Sequence, residues 1–216
     1  RYFYQDVWQP QEIMHGVVLD RLQVDLGLPP AEVFLGIPVK LKMLGAMSHF
    51  PAIQEVSRLI YYLTGASTER QAVVAYNKLT RDLDQMGEVA ISRSLIGQIK
   101  VQEPAHYAFY QMSAAQMIQD NVLAPWQLWL ARQLRTMSFA LVGTNDIPEY
   151  EKQLGGVINI LGFDADLEKY AKDIGRLEAK LLWANKQGME FPPYFLKALR
   201  ESVEMYREYG FGPLPD

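Results

Sequence analysis

Cysteine is absent from this chain of 216 residues. That removes disulfides, thiolate metal sites, iron–sulfur clusters and cysteine nucleophiles together. A surplus of basic charge is also missing: 21 Lys and Arg face 25 Asp and Glu, for a formal charge of −4. A nucleic-acid footprint would need the opposite balance on one face. No uninterrupted apolar run approaches the roughly 18 residues of a membrane span, and no signal peptide is recognisable. Strand-like alternation is scarce as well, so helical period dominates. What is present is ordinary. Hydrophobic residues make up 49% of the chain and charged residues 21%, as in a soluble globular protein. The length suits one domain with a sizeable core. A cytoplasmic enzyme or binding protein is the default expectation.

The first predicted helix begins at Pro10, where a missing N–H costs nothing, and stops at Gly27 ahead of Pro29-Pro30. Residues 31–50 read as short helices broken at Gly36-Ile37-Pro38. Pro51 opens a long apolar-periodic stretch to about Asp84, interrupted at Thr64-Gly65-Ala66-Ser67, and a second runs from about Glu88 to Asp120. Further helices are predicted over 125–142, 148–161, 164–185 and 192–209, punctuated by Gly143, Gly162 and Gly188. The tail from Gly210 is not helical. The fold expected is all-α, with residues 10–120 as one group of long helices and 121–216 as additional packing helices.

Histidine is the informative scarcity. There are three, His15, His49 and His106, and two of them follow a glutamate by three residues: Glu12-Ile13-Met14-His15 and Glu103-Pro104-Ala105-His106. Positions i and i+3 share a helix face, so one helix can offer a carboxylate and an imidazole to a single metal ion. Two such helices, with carboxylates from two more, build the dinuclear site of ferritin-like bundles. One Glu-x-x-His is a weak signal, since such pairs usually face solvent; two in so histidine-poor a chain are better. Met14, Val17 and Val18 around His15, and Tyr107, Phe109 and Tyr110 after His106, suggest half-buried surroundings, where an unpaired carboxylate is costly. Glu69, in mid-helix between apolar segments, is a third candidate; taken alone it reads as a partner for Arg70 or Arg93.

The order Glu-x-x-His, lone Glu, Glu-x-x-His resembles the soluble acyl-carrier-protein desaturases. Glu69-Arg70 is similar to that family's mid-helix Glu-Arg pair, and Gly16 and Tyr110 match positions that follow its two histidines. The separations, 54 residues from His15 to Glu69 and 34 from Glu69 to Glu103, are close to the family's. Residues 156–163 and 166–170 look like its late helices. The resemblance implies a ferritin-like four-helix bundle with additional C-terminal helices, and two ferrous ions (or a manganese–iron pair) that activate O2. Glu12 and His15 would serve one metal, Glu103 and His106 the pair from the opposing side, and Glu69 would be a terminal ligand. Tyr107 or Tyr110 would lie just outside the ligands. A sixth ligand, a glutamate, is expected upstream of Arg1, because only eleven residues precede Glu12 and Asp6 is too close to replace it. Acyl carrier protein, a ferredoxin-like electron donor and a second copy of the chain are the implied partners.

The chain departs from the family at three places. Gln102 stands where an aspartate is usual, Ala72 replaces a threonine near the oxygen site, and Pro104 lies inside the second motif. An interior proline costs about 3 kcal/mol; here it reads either as a simple kink or as a distortion that aims Glu103. The missing first ligand, Gln102 and Ala72 favour a second reading, a degenerate ferritin-like protein without catalysis. A third is another di-metal oxidase or oxygenase. Elsewhere, Trp126, Trp129 and Phe139 read as core or dimer interface. Met43, Met47, Met112 and Met117 read as adaptable packing that could line an acyl tunnel. His49 reads as a capping or surface residue, Gly155-Gly156 as a helix weakness, and residues 201–207 as a solvated face.

Overall fold

The computed structural model describes residues 2–31, 39–138 and 147–210. Every regular element among them is helical. A π-helical turn, Phe3–Trp8, leads directly into α1, Gln9–Asp25. The first helix therefore starts a turn and a half before Pro10. The Gln9 N–H reaches back to Tyr4 O in the wider π register, which lets the helix pass through a residue that has no N–H to give. Gly27, at φ +80°, ends it as predicted.

The next helices are α2, Val39–Met47, and α3, Pro51–Met86. After the left-handed Gly87 come a short α4, Val89–Ile91, a π turn Ser92–Ile96 and α5, Gly97–Gln119. Contrary to the sequence reading, α3 is unbroken through residues 64–67. Ser67 and Thr68 return their hydroxyls to Thr64 O. The bare face of Gly65 lies against the Tyr110 ring, where an added Cβ would come within 2.4 Å. α3 and α5 pack along their length and run antiparallel, because Tyr61 meets Tyr110 while Ser92 meets Thr80.

Behind this pair lie α6, Pro125–Ser138, and α8, Leu167–Leu182. Their core is formed by Val56, Leu59, Leu63, Ala114, Ala131 and Leu182. The other face of α8 joins α7, Pro148–Ile160, and α9, Pro193–Tyr209, in a second core around Ile158, Ile174, Phe195 and Leu199. Gly155 is no weakness: a Cβ there would stand 1.8 Å from Ser202 O, so glycine permits the close α7–α9 crossing. Asp166, closing a 3-10 turn over Phe163–Asp166, caps α8 by accepting from Lys169 N–H. One buried ion pair ties α6 to α8, with Arg135 Nη2 2.6 Å from Glu178 Oε2.

Trp126 and Trp129 are half exposed and are not core residues, and Met43 and Met112 face outward instead of packing. Met117 packs in the first core and His49 lies at the surface, both as expected. Phe139, Gly143 and the predicted break at 36–38 lie outside the described residues. No helix among the described residues is long and apolar enough to cross a membrane.

Candidate metal centre

Three helices meet at the two Glu-x-x-His motifs. From α1 come Glu12 and His15, from α3 Glu69, and from α5 Glu103 and His106. One ligand atom from each of Glu12, Glu69, Glu103 and His106 lies within 4.8 Å of every other. His106 Nδ1 is 2.9 Å from Glu12 Oε1, 3.6 Å from Glu103 Oε2 and 3.7 Å from Glu69 Oε2. His15 Nδ1 joins the same group, 3.4 Å from Glu103 Oε1 and 3.5 Å from Glu12 Oε1. The five ligand positions expected from the sequence are thus brought together.

Burial is nearly complete on the α3–α5 side: Glu69 is 4% exposed, Glu103 2% and His106 0%. The surroundings of His15 differ from expectation. It is the only buried residue of α1, while Met14 and Val17 turn outward at 58% exposure each. Gln11, Glu12 and His15 turn inward at the site, and Val18, Leu19 and Leu22 are half-buried further along the helix.

Polar side chains hold the ligands from behind. His106 Nε2 is 2.7 Å from Gln11 Oε1, and His15 Nε2 is 2.7 Å from Gln102 Oε1. Both imidazoles therefore turn Nδ1 toward the carboxylates. Trp8 donates its indole N–H to Glu69 Oε1 at 2.8 Å. Glu69 takes that partner in place of either arginine considered for it. Arg70 instead donates to Asp173 O and lies over the Tyr107 ring at 5.8 Å.

The electrostatics follow from three carboxylates in a buried space. Burial raises the Glu103 pKa, and the neighbouring Glu69 and Glu12 add to the rise, against a lowering contribution from His106. Burial alone would lower His106, but Glu103, Glu12 and Glu69 outweigh it and hold the imidazole up at about 11. Burial, then the charges of Glu103, Glu12 and Glu69, also push the nearby Tyr76 phenol upward. Glu12 Oε1, Glu103 Oε2 and His106 Nδ1 are buried and face one another, with no further hydrogen-bond partner among the described residues. Holding such groups in a buried space is costly. Three of them aimed at one point, with carboxylate and imidazole chemistry, fit a hard or borderline cation.

The two tyrosines part ways. Tyr110, one turn beyond His106, is buried, meets the Trp8 ring edge-on at 6.2 Å and shares an O···O contact of 3.2 Å with Tyr61. Tyr107, about 100° further round the helix than His106, lies beneath Arg70. Trp8, Gln11 and Tyr76 were not anticipated from the sequence. Of these, Gln11 carried a signal, since glutamine directly precedes the glutamate of both motifs. The Pro104 ring lies on the exposed side of α5, away from the buried Glu103 and His106.

No protein-family model, curated protein or solved structure matches this chain.

Proposed function

We propose that this protein is a carboxylate–histidine metalloprotein of the di-iron kind, acting as an oxidoreductase on an acyl chain or similar hydrophobic substrate. The observation that carries the reading is the convergence of Glu12, Glu69, Glu103 and His106, with buried ligand atoms directed at one another. His15 extends the set to five. The order of the ligands along the chain, and their resemblance to the acyl-carrier-protein desaturases, add the choice of iron and substrate class. Acyl carrier protein and a ferredoxin-like donor as partners, a homodimer, and a cytoplasmic location belong to the same reading.

Glu12, Glu69, Glu103, His15 and His106 would hold the metal. Two ferrous ions there would supply the electrons that let O2 oxidise an unactivated C–H bond. The chain's own residues set the stage for this. Trp8 holds Glu69 through one oxygen and leaves the other facing His106. Gln11 and Gln102 keep both imidazoles facing inward. Tyr110, buried, packs edge-on against Trp8 and Tyr61 beside the ligands. Glu12, with its side chain 35% exposed, is the most solvent-exposed of the five.

The test is O2 consumption by the ferrous-loaded protein with an acyl carrier protein thioester, followed by mass analysis of the acyl chain. Loss of two hydrogens, or gain of one oxygen, supports the reading. A protein that binds iron yet leaves every acyl chain unchanged and consumes no O2 favours the non-catalytic alternative. The departures at Gln102 and Ala72 already point toward that alternative.

A further inference from the structure

We propose that Gln11 and Gln102 are a crossed pair of positioning residues, each fixing the imidazole of the opposite helix so that its Nδ1 serves as the ligand atom. The proposal rests on reading this site as a metal centre. Each motif is Gln-Glu-x-x-His: Gln11-Glu12-Ile13-Met14-His15 on α1 and Gln102-Glu103-Pro104-Ala105-His106 on α5. Glutamine and histidine four apart on one helix can meet each other. Here they do not. Gln11 meets His106 and Gln102 meets His15, both through Oε1 at 2.7 Å.

An amide oxygen only accepts, so the facing Nε2 must carry the hydrogen, and Nδ1 is left toward Glu12 and Glu103 as the nitrogen that gives up its proton when a metal binds. The opposite amide orientation would offer N–H to Nε2 and put the ring hydrogen on Nδ1, closing the ligand position. An amide is also neutral. It orients the ring without adding a fourth negative charge beside Glu12, Glu69 and Glu103, as a carboxylate at the same place would. Because the pairing is crossed, α1 and α5 are each fixed by the motif of the other, and removing one glutamine acts on the histidine of the other helix.

The test is a Co2+ titration of the whole chain, read by visible absorption, on wild type and on Gln11→Met, Gln102→Met, Gln11→Glu and Gln102→Glu. Methionine keeps the length of the side chain but has no strong acceptor at its tip. Each methionine variant is expected to weaken Co2+ binding by about 10- to 100-fold and to shift the absorption bands of the bound ion. Each glutamate variant, which retains an acceptor but adds a charge, is expected to bind Co2+ more tightly than the methionine variant at the same position. Thermal unfolding of the metal-free variants, unchanged from wild type, shows that folding is not the cause. Two glutamines probed separately keep the test decisive if one variant fails to fold. Methionine variants that bind and absorb like wild type, or glutamate variants that rescue nothing, overturn the clamp while leaving the metal centre standing. A wild-type protein that takes up no Co2+ overturns the metal centre itself.

Discussion

Trp8 donates its indole N–H to Glu69 Oε1 at 2.8 Å, joining the first helix to a residue 61 positions further along the chain. The bond depends on the π-helical turn over Phe3–Trp8. It is a charge-assisted contact made by a half-buried group, of a kind that contributes about 1.5–3 kcal/mol. Trp8→Phe keeps the ring and removes the donor. The expected outcome in urea denaturation is a loss near the lower end of that range, with faster proteolysis before α1.

The metal-free site makes stability depend on pH, with a definite sign. His106 titrates near about 11 in the fold against 6.5 as a free side chain. The folded state thus holds a proton that the unfolded chain has released. The resulting stabilisation is complete below pH 6.5 and is lost as pH rises toward 11. Glu103, also raised, has the same sign at lower pH. Between pH 7 and 9.5 the stability of metal-free protein should fall by at most about 1.4 kcal/mol per pH unit. His106→Gln should flatten that slope. Metal binding displaces the proton, so affinity for a divalent ion should rise over the same interval. Urea midpoints across the pH series check all three.

Gly65 faces the Tyr110 ring with no room for a methyl group. Gly65→Ala would gain helix propensity but must push the ring aside. Overpacking of this kind costs about 1–3 kcal/mol, more than propensity returns. The expected net effect is destabilisation, measured by chemical denaturation, with the Tyr61–Tyr110 contact disturbed.

Arg135 and Glu178 form an ion pair buried on both sides, with side-chain exposures of 5% and 3%. Breaking it with Arg135→Met strands a carboxylate in the core, at an expected cost of about 3–5 kcal/mol. The exposed Lys172–Glu190 pair is the internal control. Lys172→Met should cost below about 1 kcal/mol. Denaturation midpoints of the two variants, measured side by side, test the contrast.

Much of the site was legible because its chemistry is written in local spacing. A glutamate and a histidine three apart share a helix face wherever the helix forms, so Glu12/His15 and Glu103/His106 could be found before any tertiary contact was known. Glu69 stood out as an acidic residue in mid-helix between apolar segments, but only the resemblance to a family made it a ligand and not a partner for Arg70 or Arg93. Trp8 was missed because its position depends on a π turn, which breaks the 3.6-residue period that sequence reading follows. Gln102 was noticed as a departure from a family, and its partner on His15 became visible only when α1 and α5 were set face to face. Gly65 and Gly155 looked like interruptions for a related reason. Glycine in a helix weakens the local signal, and the close approach it permits belongs to another helix. Met14, Val17 and Val18 suggested burial around His15, but Met14 and Val17 face outward and Val18 alone is half-buried.

The most direct measurement is the metal content of the chain after ferrous reconstitution without chelator, by elemental analysis, on wild type, Glu103→Ala and His106→Ala. The account predicts about two irons per wild-type chain, with stoichiometric binding lost in both variants while helical content is retained. A folded wild-type chain that retains no stoichiometric metal would contradict it, as would variants that bind iron as well as wild type does.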